Sequence, residues 1–431
     1  MLRKRTTRLG IGLALLALLI LTGALASKLP VFQETFGWRI SQLRASIKYA
    51  LSPPGEAAFT PDPTLAAMVQ STLDAFTPTA THTATPGPTL TPTPTPTVTI
   101  EPTPLPESVK LSGIRHEYQK WNNCGPANLS MALSYWGWDG TQRPIADFVK
   151  PNPRDKNVMP YELASFVEEG TSLDVLVRVG GDLDLLKRLI AAGFPVLIEK
   201  GFEGPGFDGW MGHYEVVSGY DDTRQRVTVQ DSYIMPDLPV SYADLESYWR
   251  QFNYTFILIY PPEREAEVLA LLGPLADETQ SYQYAAELAS TEIFQLSDRD
   301  LFFAWFNRGT NLRQQQDYGG AALAYDEAFK IDAVMAYNDP EHRPWRILWY
   351  ETGPYWAYYY TGRYYDVLNL ANFTIENMSE PAVEESFYWR GLAREALGDL
   401  DGAIADFERA LKWHPEWDPA LSQLRRLGVI S

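Results

Sequence analysis

The stretch Gln119-Lys120-Trp121-Asn122-Asn123-Cys124-Gly125-Pro126-Ala127-Asn128-Leu129-Ser130-Met131 holds the single cysteine of a 431-residue chain. It reads as a loop, then Cys-Gly-Pro, then a helix. Pro126 has a preset φ and no N–H to donate, which suits the first turn of a helix. Ala127, Leu129, Met131, Ala132, Leu133 and Tyr135 supply a broad apolar face, and Gly137 can close the helix. Cys124 is therefore expected at or just before a helix N-terminus. There the macrodipole and free N–H groups favour the thiolate, the form that attacks carbonyls. A lone cysteine is more often a small buried hydrophobe, so the residues that accompany it decide the reading.

Composition narrows the field. Apolar residues make up 45% of the chain, enough for a sizeable core, and the length suits two or three domains. The net charge of −18, with no basic stripe after residue 50, argues against nucleic-acid binding. One cysteine forbids an internal disulfide. Without Cys-x-x-Cys or a dense His/Cys/Asp cluster, neither a structural metal site nor a cofactor is expected.

Outward from the cysteine, the N-terminal side reads as a tether. Residues 1–8 carry Arg3, Lys4, Arg5 and Arg8, and Leu9 to Ala26 is an uncharged, mostly apolar run of 18. We read a cytoplasmic tip (1–8) and a transmembrane signal anchor (9–27), which places the globular part outside the cytoplasmic membrane. Ala24-Leu25-Ala26 also resembles a cleavage site, which would make the protein secreted instead. Residues 28–52 read as a membrane-proximal amphipathic helix. Residues 53–106, centred on Thr-Pro repeats, read as a disordered Pro/Thr-rich stalk that cannot bury a core, with a weak, incidental helix around Leu65–Phe76.

Residues 107–262 form the first globular domain. Helical patterns at Ile145–Val149, Tyr161–Glu169 and Leu183–Ala192 are followed or separated by strand-like runs at Leu173–Val179 and Pro195–Glu199. The glycine-dense stretch Gly201–Gly209 leads into a strand from Trp210. Arg226–Asp231 makes a hairpin with it, and Tyr254–Tyr260 is a buried strand. Helix first, then mostly hairpin-connected strands, implies an α+β fold. Residues 263–298 read as a helical connector.

From 299 to 431 a helical repeat appears. Gly309, Ala321, Tyr325 and Ala328 recur in type 82 positions later as Gly391, Ala403, Phe407 and Ala410, with a degenerate unit around Tyr358 and Gly362 between them. This resembles the tetratricopeptide repeat, a 34-residue helix pair that serves protein interaction. The aromatics of Trp345–Tyr365 read as repeat core, with a peptide-lining groove as the alternative.

A cysteine nucleophile needs a base in hydrogen-bond reach and a third group to orient it. His82 falls in the stalk, and His342 and His414 fall in the repeats. His116, in the approach loop, reads as an exposed polar residue. His213 opens a strand after the glycine-rich loop, and Asp231 ends the strand paired with it, so the hairpin can bring the two together. Gln119 can offer its amide to an oxyanion beside the backbone N–H of Cys124.

Gln119-Lys-Trp-Asn-Asn-Cys124-Gly-Pro-Ala, Gly212-His213-Tyr-Glu-Val-Val-Ser-Gly-Tyr-Asp221 and Val229-Gln-Asp231-Ser look like the signature blocks of papain-like cysteine peptidases. The resemblance is to the bacteriocin-processing, double-glycine-leader branch and covers about residues 110–260. It implies Cys124 as nucleophile, His213 as base, Asp231 as orienting acid and Gln119 as oxyanion donor. Gln119 stands five residues before the cysteine, where the family usually has six. No transporter shares this chain, so the double-glycine cleavage rule is not carried over. The expected activity is hydrolysis of a peptide or protein substrate. The alternatives are a non-catalytic peptide-binding scaffold, or an acyltransferase or amidase using the same triad.

Overall fold

The computed structural model describes residues 38–52, 59–76, 104–152, 154–204 and 209–431. The expected tip at 1–8, the anchor at 9–27 and most of the stalk lie outside these. Among the described residues no helix is long and apolar enough to cross a membrane. The chain divides into two compact units. The smaller, Met1–Gly55 with Asn377–Ser379, holds helix α1 (Trp38–Leu51), on which Leu43, Ile47 and Leu51 are exposed.

In the larger unit, the weak helix read around Leu65–Phe76 is formed and is not incidental, so the stalk is not disordered throughout. Residues 63–76 form helix α2 (Pro63–Phe76), and Phe59 is buried with its ring 5.6 Å from Phe329 and 5.5 Å from Tyr358. Pro at the helix start and the apolar Leu65-Ala66-Ala67-Met68 run make this segment a helix former inside a Pro-rich span.

The α+β domain is built on a seven-stranded antiparallel sheet among the described residues. Its strands are β1 (Ser108–Lys110), β2 (Asp174–Arg178), β3 (Val196–Phe202), β4 (Met211–Asp221), β5 (Arg226–Gln230), β6 (Leu238–Ser241) and β7 (Phe256–Tyr260). The order is β2-β7-β3-β4-β5-β6, with β1 added on β4. Short β1, short β6 and the helix Tyr242–Arg250 were not apparent from the periodicity. β3, β4 and β7 are buried along nearly their whole length because both faces are covered. On one face lie α3 (Cys124–Tyr135), α4 (Gln142–Val149) and α5 (Pro160–Gly170), with Leu129, Met131, Leu133 and Leu163 packed on Leu197, Val216 and Ile257. On the other lie α6 (Leu183–Ala191) and α7 (Tyr242–Arg250), with Leu186, Leu189 and Trp249 packed on Ile198, Val217 and Leu258. Gly219 marks a register shift in β4, where a Cβ would stand 2.7 Å from the Val109 carbonyl of β1.

Two connector helices, α8 (Glu265–Leu272) and α9 (Glu278–Glu292), lead to three helix pairs. These are α10 (Asp298–Gln314) with α11 (Tyr318–Asn338), α12 (Gly353–Tyr360) with α13 (Tyr364–Asn377), and α14 (Glu384–Ala396) with α15 (Leu400–Trp413), closed by α16 (Asp418–Arg426). The 82-residue recurrence is a packing device. A Cβ on Gly309 would stand 2.7 Å from the Tyr325 ring, and one on Gly391 equally close to Phe407, so each glycine lets a paired helix approach. Trp345, Trp349, Tyr350, Tyr355 and Tyr358 are buried, so this aromatic run is largely core rather than an open groove. The first pair packs on the α+β domain through reciprocal Asn253–Asn311 hydrogen bonds of 2.6 and 3.0 Å and through Asn307 Nδ2 donating to the Arg250 carbonyl.

The degenerate middle pair is held by a buried charge cluster. Arg363 donates to Asp326 at 2.7 and 2.9 Å and to Asp366 at 2.6 Å. Arg363→Met strands the Asp326 carboxylate in the interior, and a loss of ~3–5 kcal/mol in unfolding free energy is expected. Urea denaturation monitored by tryptophan fluorescence checks this, and a midpoint equal to wild type would contradict it.

Candidate active site

Cys124 is the first residue of α3 and is half-buried. The turn before it is held from several sides. Asn122 adopts a left-handed φ of 53°, and its carbonyl accepts from Lys150 Nζ at 2.7 Å. Gln142, the buried first residue of α4, accepts from Lys120 N at 2.6 Å and donates to Glu117 and to the Tyr118 carbonyl, both at 2.9 Å. One turn into α3, fully buried Asn128 places Nδ2 2.9 Å from the Cys124 carbonyl, 2.6 Å from the Tyr214 carbonyl and 2.8 Å from Ser232 Oγ. This side chain ties the cysteine helix to β4 and to the segment after β5.

The β3–β4 register pairs Lys200 with His213, and the β4–β5 register begins at Val216 opposite Gln230. The chain leaving β5 therefore runs alongside His213. His213 Nε2 lies 3.3 Å from Asp231 Oδ2, a charge contact rather than a well-aligned hydrogen bond. Such contacts commonly tighten only when substrate is bound. The other oxygen, Asp231 Oδ1, accepts from Tyr233 N at 2.7 Å and Ile234 N at 2.8 Å. The imidazole also lies close enough to the Cys124 side chain for each to shift the titration of the other, and it packs on Phe202, with ring centroids 4.7 Å apart. The structure thus brings Cys124, His213 and Asp231 together.

Gln119 joins the same network. Its N–H donates to the Ser232 carbonyl, and its Oε1 accepts from Ser232 Oγ, both at 2.8 Å. His116 is not the exposed polar residue expected. It is partly buried and bonded through Nε2 to the Asp231 carbonyl at 2.9 Å. Asn128, Gln142, Lys150 and Ser232 were not singled out in the sequence. The available signal was a buried-type polar residue one turn after the cysteine, on an otherwise apolar helix face. In the glycine-dense stretch, Gly201 and Phe202 belong to β3, while 205–208 lie outside the described residues.

Burial alone would raise the Cys124 thiol. The neighbouring His213 and its charge, the charge of Lys150 and the Gly125 N–H outweigh it, leaving the thiol below its ordinary value. Burial alone would lower the His213 pKa, but Asp231 and the Cys124 thiolate bring it to about 10. Asp231 is held well below the usual carboxylate range, against its burial, by His213 and its two N–H donors. Together these favour a thiolate–imidazolium pair. His213, Glu215 and Asp231 offer ligand atoms within 4.8 Å of one another, which is a conceivable cation seat. Lys200 Nζ already pairs with Glu215, however, and Asp231 Oδ1 is taken by two backbone N–H groups. The donor set therefore reads as a self-neutralised charge network.

Comparison with known proteins adds the following. Residues 111–257 match the Peptidase_C39 like family, and residues 384–417 match the tetratricopeptide repeat. The α+β domain is thus C39-peptidase-like, and it is followed by a repeat region. Among solved structures, a C39-like peptidase from Bacillus anthracis is 19% identical, covering 35% of this chain and 96% of its own at a TM-score of 0.30. A double glycine motif protease from an AMS/PCAT transporter, solved with its leader peptide, is 15% identical, covering 36% of this chain and 94% of its own at a TM-score of 0.28. No curated protein matches the chain.

The reactive pair is lost on the acid side when sulfur takes a proton and on the alkaline side when His213 gives one up near pH 10. Alkylation of Cys124 is expected to stay fast from below the ordinary thiol range upward, since loss of the His213 proton leaves a free thiolate, and it is turnover that should fall near pH 10. His213→Ala should move the acid limb up toward the ordinary thiol value of about 8.5, slowing alkylation at pH 6 by about tenfold for each unit moved. A pH–rate profile in both proteins checks this, and superimposable profiles would rule out an activated thiol.

Proposed function

We propose that the chain is a cysteine peptidase tethered outside the cytoplasmic membrane, cutting peptide bonds through Cys124, His213 and Asp231, with repeats that engage a protein partner or the substrate. The observation that carries the reading is the convergence of a lowered thiol at a helix start with a charged imidazole backed by a buried carboxylate, inside the segment that matches a peptidase family.

In this mechanism the Cys124 thiolate attacks the scissile carbonyl carbon. The C–S bond forms, and the carbonyl π pair moves to oxygen. The oxyanion takes hydrogen bonds from the Cys124 N–H and from Gln119 Nε2, whose orientation is set by the Ser232 contact at Oε1. As the C–N bond breaks, imidazolium His213 gives its proton to the leaving amine. Neutral His213 then takes a proton from water, whose oxygen attacks the thioester. Collapse of the second tetrahedral species releases the carboxylic acid product and restores the thiolate–imidazolium pair. Asp231 holds the ring orientation throughout and stabilises its charge.

The extracytoplasmic placement rests on the basic residues followed by an apolar run at the N-terminus. A reporter enzyme active only outside the cytoplasm, fused after Pro106, should be active, and an inactive fusion of full length would overturn the placement.

Removing the nucleophile is expected to lower turnover by roughly 10³-fold or more. Proteomic comparison of exported peptides from cells with intact or Cys124→Ala protein should reveal fragments found only with the intact enzyme. Identical peptide sets, with peptide binding retained by Cys124→Ala, would instead favour a scaffold. Transfer of the acyl group to an added amine in preference to water would favour an acyltransferase.

A further inference from the structure

The strand that carries His213 is supported unevenly. On one side, β3 pairs with β4 from Met211 to Val217. On the other, β5 pairs with β4 only from Val216 onward. Residues 211–215, which include His213, therefore have no ladder partner on that second side among the described residues. Asp231 and Asn128 reach this stretch at His213 and at the Tyr214 carbonyl, and the cover at Trp210 and Gly212 comes from the repeat region, more than a hundred residues away in the chain.

The segment between the first and second helix pairs is pinned at its base by Arg343, which donates to Asp332 at 2.7 and 2.9 Å. It then turns through Ile347–Trp349 and presents Arg346 and Tyr350, both buried, to the start of β4. Arg346 Nη1 donates to the Trp210 carbonyl at 2.8 Å. The Tyr350 ring lies 5.8 Å from Trp210 and 5.7 Å from Phe252. At Gly212, next to His213 in the chain, the backbone lies directly against the Tyr350 ring, since a Cβ there would stand 2.8 Å from its carbons. Burial pushes the Tyr350 phenol above its ordinary value, with a further contribution from the Cys124 thiolate charge.

Resting on the peptidase reading above, we propose that Tyr350 is a positioning residue of that site: it clamps the unpaired start of β4 and so holds the His213 imidazole against the Cys124 sulfur. The repeat region is then a structural part of the site and not only an appended interaction module. Tyr350 acts through Gly212 and His213.

The test measures the pH dependence of Cys124 alkylation in the full chain, together with kcat and KM on a peptide substrate. Tyr350→Ala should raise the apparent thiol pKa by about one unit, slowing alkylation at pH 6 by about tenfold, and should lower kcat more than it raises KM. Tyr350→Phe, which keeps the rings and loses only the hydroxyl, should move the profile in the same direction by less. It carries the test if the alanine variant fails to fold. Asn311→Ala loosens the contact between the two domains away from Gly212 and should leave the profile where it is. Wild-type profiles in both Tyr350 variants would overturn the proposal, as would an equal shift in Asn311→Ala. A His213→Ala profile equal to wild type would remove the peptidase reading itself, and this role with it. A shifted His213→Ala profile beside unmoved Tyr350 variants would remove only the role of Tyr350.

Discussion

Asp231 carries its charge with no exposed surface. An ionised carboxylate in that position is tolerable only if its surroundings replace the water it has lost. Here one oxygen takes two backbone N–H groups from the turn that follows, and the other faces a histidine whose ring is itself buried. That constraint organises the neighbourhood. The hairpin of β4 and β5 must deliver His213 to the carboxylate. The tight turn at 231–235 must present its amides inward, and Ser232 must be free to bridge Gln119 and Asn128. The same charge then acts on the chemistry. An imidazole kept protonated by a buried carboxylate stabilises a thiolate at the neighbouring helix start, and Lys150 adds a second positive charge there. Beneath it, Lys200 and Glu215 neutralise each other in the same interior, so a further pair of charges is held close to His213 without leaving a net charge uncompensated.

The repeats meet the α+β domain through two kinds of contact with different roles. The Asn253–Asn311 pair and the Arg250–Asp300 ion pair are directional, and they set one docking register. The aromatic wedge of Trp210 among Phe252, Phe303 and Tyr350 removes apolar surface from water and supplies the non-directional part of the stability. Trp210 lies three residues before His213, so the docking contact and the candidate site share one piece of backbone.

Much of this was legible in the residues. Cys-Gly-Pro ahead of an apolar run marks a helix start because Pro126 and the 3.6-residue period are local signals. His213 and Asp231 could be paired because they sit on two successive strands of one hairpin. The glycine–aromatic recurrence 82 residues apart marked the outer helix pairs for the same reason: each depends on residues close in sequence. The errors follow the same logic. His116 looked like a solvent-facing loop residue because its partner is a backbone carbonyl 115 positions away. Asn128 passed as one polar residue in a helix, although it joins α3, β4 and Ser232. Residues 63–76 were absorbed into the stalk by the proline content around them, whereas the burial of Phe59 between Phe329 and Tyr358 ties that part of the chain to the repeats.

The amino-acid order by itself determined most of the longer elements, the candidate nucleophile and its hairpin partners. These rest on periodicity, turn chemistry and short spacings, which are properties of neighbours along the chain. The tertiary structure alone decided which face of the sheet holds α3, that Ser232 and Asn128 brace the cysteine, and that Tyr350 of the repeat region packs against Gly212 of β4. Those outcomes depend on strand register and on surfaces meeting across large sequence separations, where one step of slip would turn every side chain to the opposite face.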